Sequence, residues 1–106
     1  MKAEEWTNWY PAPHPQVAWR MIDGEALLVL ADAGEVAVLN GVGSRIWQLA
    51  DGSRSIDDII TVIVAEYDTT ADEAGRDVVN FIEQLVKEHI LVLSERTAPQ
   101  RAEKSS

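Results

Sequence analysis

Two histidines, His14 and His89, are the only ones in this sequence, and histidine is the residue type most often used for general acid–base catalysis. General acid–base chemistry would start with them, yet they share no motif. His14 lies among Pro11, Pro13 and Pro15, and His89 closes a run of helical spacing, where a cation complements the helix dipole. Cysteine is absent, which removes thiolate nucleophiles, thiolate metal sites and disulfides. Gly41-Val42-Gly43 lacks the lysine and the spacing of a phosphate-binding loop. The carboxylate pairs Asp57-Asp58 and Asp72-Glu73 fall in the first turns of expected helices, where they offset the positive end of the dipole. No catalytic residue, metal ligand or cofactor is expected, and the chain reads as a non-enzyme.

Charge narrows the choice of partner. The chain has 106 residues and a net charge of −9, and residues 17–93 alone hold five Lys and Arg against fourteen Asp and Glu. Such a surface repels DNA, RNA and anionic membranes. The first six residues, Met1-Lys2-Ala3-Glu4-Glu5-Trp6, contain no apolar core of a signal peptide, and no apolar run approaches the roughly 20 residues that span a bilayer. A cytoplasmic protein with no membrane partner is the expectation.

The elements that must position any site are well punctuated. Residues 1–16 read as an extended aromatic and proline-rich arm outside the core, residues 17–93 as one folded domain, and residues 94–106 as a disordered tail. Residues 17–22, 26–30 and 35–39 read as a three-strand antiparallel meander, turned at Asp23-Gly24 and Asp32-Ala33-Gly34. Three helices follow, over residues 44–49, 56–67 and 71–88. Ser55 with Asp58 resembles a capping box, and Thr70 with Glu73 has its full form. Residues 90–93 add a short strand or cap the core. On the third helix Ala74, Val78, Phe81, Ile82 and Leu85 form the core stripe. Val79 and Val86 flank it beside Gly75, with Arg76 and Glu83 just beyond. That apolar shoulder is either a wider core contact or one wall of a groove. The fold class is α+β, a three-stranded antiparallel sheet packed on three helices and winged-helix-like.

A winged-helix DNA-binding regulator is the alternative this order of elements raises. A recognition helix needs cations, however, and the third helix shows Asp72, Glu73, Asp77, Glu83 and Glu88 against Arg76 and Lys87. Peptide recognition fits better. Natural sheet edges are protected by charge, proline or a covering element, yet only Glu35 guards Val36-Ala37-Val38-Leu39. An open apolar edge beside an apolar helix shoulder is the geometry for strand addition. The bland reading is that the arm or residues 90–93 cover the edge.

The run Val38-Leu39-Asn40-Gly41-Val42-Gly43-Ser44-Arg45-Ile46-Trp47-Gln48-Leu49, followed by Asp51-Gly52, resembles the "LN…G…IW.L..G" signature of the PqqD family. Ile56 and Ile59, Glu66-Tyr67, Asp77-Val78, Phe81-Ile82 and Leu85 continue that pattern across residues 17–93. The resemblance implies a recognition element, a peptide chaperone for the leader of a ribosomally made precursor in RiPP biosynthesis. The leader would add as a strand along Glu35, Val36, Ala37, Val38 and Leu39. Its side chains would enter a cleft walled by Val79, Glu83 and Val86 with Arg76 beside them; the opposite flank, Asp77 and Gln84, is the other phase. Relatives serve pyrroloquinoline quinone (PQQ) synthesis with a radical SAM protein, or lasso peptide pathways with a leader peptidase. Others are fused to larger modifying enzymes, which makes a structural subunit a further alternative. One departure stands out: many relatives carry an aromatic residue two to four positions before the Leu-Asn pair, where this chain has Val36 and Ala37.

Overall fold

Asp23 and Gly24 both take positive φ, 53° and 84°, the combination a two-residue hairpin turn needs. In the computed structural model, which describes residues 8–30 and 34–95, this turn joins β2 (Ala18–Ile22) to β3 (Glu25–Leu30) with Ile22 opposite Glu25. A second antiparallel pairing places β4 (Glu35–Val38) on the other side of β3, with Leu27 opposite Val38 and Leu30 opposite Glu35. The expected meander is therefore present in the order β2-β3-β4. Asp32 and Ala33 of its second turn lie outside the described residues, as do residues 1–7 and most of the expected tail.

Strand alternation puts Ala26 and Leu28 of β3 on the inner face, both fully buried. Against them pack three helices, α1 (Gly41–Leu49), α2 (Ile56–Glu66) and α3 (Ala71–Lys87). Trp47 of α1 is 1% exposed and anchors the core. Trp19 of β2 stands edge-on to it, with ring centroids 5.7 Å apart.

Each helix begins on a side-chain cap. Asn40 Oδ1 accepts the Gly43 N–H at 2.7 Å, so α1 starts three residues earlier than the sequence predicts. At α2 the Ser55 hydroxyl and the Asp58 carboxylate exchange bonds with each other's backbone N–H, a full capping box. The expectation for α3 is only half met. Thr70 caps the Glu73 N–H, but the Glu73 carboxylate accepts from the Thr69 hydroxyl instead of reaching back to the cap.

The core stripe of α3 is rotated from the expected one. Ala74, Val78, Val79, Ile82 and Leu85 are buried, whereas Phe81 is partly buried and packs against that core from the flank. The shoulder residue Val79 is thus a core contact.

The arm also needs correction. Tyr10–Pro13 forms β1, which pairs antiparallel with β5 (Leu91–Ser94) in a separate two-stranded sheet. Its prolines are compatible with a strand because they sit two residues apart. The Pro11 carbonyl accepts the Gly52 N–H, and the Trp9 carbonyl accepts the Ile56 N–H, so that side of β1 faces the α1–α2 loop. The Pro11 and Pro13 nitrogens share that side, and neither removes a donor from the pairing with β5. The boundary expected at residue 16 does not separate this strand from the core, since Pro11 is buried.

Candidate functional site

Leu39 donates its backbone N–H to the Ala26 carbonyl at 2.9 Å. Because backbone groups alternate sides along a strand, Ala37 and Glu35 also point at β3, and the N–H and C=O of Val36 and Val38 point the other way. Among the described residues no strand lies on that side. Two segments that could have covered the edge, Tyr10–Pro13 and Leu91–Ser94, pair with each other. The Val36 and Val38 side chains are 62% and 60% exposed, on the sheet face turned away from the helices.

What holds this edge in place is a buried serine. Ser44, at the first turn of α1, accepts the Ala26 N–H at 2.8 Å and donates to the Leu39 carbonyl at 3.0 Å. The hydroxyl continues the β3–β4 ladder where the strand ends and ties it to the helix.

Beneath the edge, on the helix side of the sheet, lies a groove of about 490 Å³. Val38, Leu39 and Asn40 form one bank, Val42, Gly43 and Ile46 the floor, and Asp77 and Phe81 of α3 the other bank. Gly43 sits close against both banks. A Cβ on it would stand 3.2 Å from the Phe81 ring and 3.0 Å from Asn40 Oδ1.

The structure brings Val38 and Leu39 to this groove with Asp77, and it does not bring Val79, Glu83 or Val86 there. Val79 is in the core, and Val86 faces a different hollow of about 460 Å³. Arg76 and Glu83 lie on the same far flank as Val79 and Val86, at helical spacing, and line neither space. The reason is helix phase: with Ala74, Val78, Val79, Ile82 and Leu85 buried in the core, α3 turns Asp77 and Phe81, not Val79 and Val86, toward the groove beside β4. Sequence reading missed Phe81 and Gly43 as site residues. The signal available was Asp77, a carboxylate in mid-helix where neither a cap nor the dipole accounts for it.

The second hollow gathers Trp9, His14, Val86 and His89 against β5, so both histidines share one neighbourhood. Among the described residues no group of three or more His, Cys, Asp or Glu is placed to hold a metal ion. Elsewhere, Arg45 of α1 grips Glu66 of α2 through two bonds of 2.8 and 2.7 Å. The hydrogen bond from Arg45 holds the Glu66 carboxyl below its ordinary range and raises the guanidinium in turn. At Asp51 burial pushes the carboxyl up, but the Ser53 hydroxyl and N–H more than offset it. No helix among the described residues is long and apolar enough to cross a membrane.

Comparisons with known proteins bear on this geometry. No curated protein matches the chain. The solved structure of TbiB1 in complex with the TbiA(beta) leader peptide is similar at a TM-score of 0.70 and 30% identity, over 76% of this chain and 93% of that one. Lasso peptide synthetase B1 complexed with the leader peptide has the same fold at a TM-score of 0.69 and 24% identity, over 77% of this chain and 96% of that one. Residues 25–91 match the family described as coenzyme PQQ synthesis protein D, a span that runs from β3 through the groove to β5. On that match the chain belongs to the PqqD family.

Proposed function

We propose that this protein is a non-catalytic adaptor that binds the leader of a ribosomally made precursor peptide and presents it to a modifying enzyme. The leader adds as a strand along β4, bonding to the outward N–H and C=O of Val36 and Val38, and its inner side chains enter the groove below. The observation that carries this reading is the open apolar edge directly above a groove. A similar protein, TbiB1, is solved with a leader peptide, which supports the choice of ligand. The partner enzyme is a radical SAM protein or a leader peptidase, and the adaptor works in the cytoplasm, where ribosomal precursors arise. The residues we assign are Glu35 through Leu39 at the edge, with Asp77 and Phe81 replacing Val79, Glu83 and Val86 as the cleft wall.

Proline scanning of β4 tests the mode. Val38→Pro deletes an outward N–H and leaves the bonds to β3 intact, so it should stay folded and lose binding to the cognate leader by calorimetry. Ala37→Pro deletes an inward N–H and should destabilise the sheet itself. Normal leader binding by a folded Val38→Pro protein overturns strand addition at this edge.

A further inference from the structure

Asp77 is the one acidic side chain on the groove, and it has no ion-pair or hydrogen-bond partner among the described residues. Its place in the middle of α3 gives it no cap or dipole to serve, unlike Asp72 and Glu73 in the first turn. The other lining side chains are apolar or, as with Asn40, already committed to a helix cap. An apolar trough ending in a single free carboxylate fits a long side chain with an apolar stem and a cationic head.

The sheet register says where that side chain must come from. A residue directly across a strand pair shares a face with its partner. Leu39 pairs with Ala26, which is fully buried on the inner face. A residue of the added strand opposite Leu39 therefore points inward, over the groove. A residue opposite Val38 points to the outer face.

Resting on the strand-addition reading, we infer that the bound segment carries a lysine or arginine at the position facing Leu39, and that Asp77 selects it. The stem lies along Val42 and Phe81, and the ammonium or guanidinium meets the Asp77 carboxylate at the rim. The negative charge of residues 17–93 works in the same direction, because it accelerates encounter with a cationic segment. The contact is partly solvated, so its effect on affinity is a few-fold and salt-dependent.

A displayed library of random short peptides, selected in parallel on the wild type, Asp77→Asn, Asp77→Lys and Val38→Pro, tests this. The wild type should enrich Lys or Arg at one fixed position within an otherwise apolar alternating segment. Asp77→Asn should lose that preference and bind a wild-type-selected peptide about 2–5-fold more weakly, a gap that closes in high salt. Asp77→Lys should invert the preference to Asp or Glu at the same position. An Asp77→Lys selection that keeps the wild-type residue at that position overturns the assignment of Asp77. A Val38→Pro protein that enriches the wild-type peptides, or a wild type that enriches none, overturns the docking mode beneath it.

Discussion

The Ser44 hydroxyl accepts the Ala26 N–H across 18 residues of sequence, at 2.8 Å and with Ser44 fully buried. One side-chain oxygen thereby serves both a strand donor and, through its own proton, the Leu39 carbonyl. It ties the end of the β4 edge, one bank of the groove, to the start of α1, which is the floor.

Ser44→Ala removes that oxygen and leaves a buried donor and acceptor without partners. The expected loss is about 1–3 kcal/mol of stability, read as a lower urea midpoint with an unchanged slope. Because β4 is no longer held to α1, leader affinity should fall further than the loss of folded fraction accounts for. A variant with wild-type stability would show that the two groups find other partners.

Gly43→Ala tests the groove from its floor. The new methyl meets the Phe81 ring at 3.2 Å and the capping oxygen of Asn40 at 3.0 Å, so one of them must move. About 1–3 kcal/mol of destabilisation follows from overpacking. Pairing it with Phe81→Leu, which vacates the space, should recover part of the loss, measured as a double-mutant cycle.

Glu66 predicts a pH dependence. Its carboxyl is held below the ordinary glutamate range by the Arg45 hydrogen bond. A depressed folded-state value stabilises the protein above the unfolded value, near pH 4.3, and that contribution is lost as pH falls through the folded one. Glu66→Gln should therefore narrow the difference in Tm between pH 7 and pH 3 relative to wild type, while leaving leader binding alone. An unchanged difference would mean that the Arg45 pair adds nothing to stability.

Val79→Asp separates the two readings of the α3 shoulder. Val79 is 8% exposed among core residues, so a carboxylate there is buried without a partner. A loss of about 2–4 kcal/mol is expected in chemical denaturation. A stable variant deficient only in leader binding would restore Val79 to the cleft wall.

Local chemistry made much of this protein legible from its residues. Asp23-Gly24 dictates a tight turn because both positions need positive φ, and Ser55 and Thr70 mark helix starts because their oxygens reach the next free N–H groups. The unguarded run from Val36 to Val38 identified an edge strand, since an edge reveals itself by the protections it lacks. Net charge disfavoured nucleic acid before any fold was known. Tertiary structure decided what depends on how elements meet. The phase of α3 in the core turned Phe81 and Asp77, not Val86, toward the groove beside β4, a rotation that periodicity leaves open when both flanks of a stripe are partly apolar. The pairing of Tyr10–Pro13 with Leu91–Ser94 joins segments some eighty residues apart, and prolines at alternate positions conceal it. Among the described residues the outer side of β4 has no strand on it, because the two segments expected to cover it are occupied with each other.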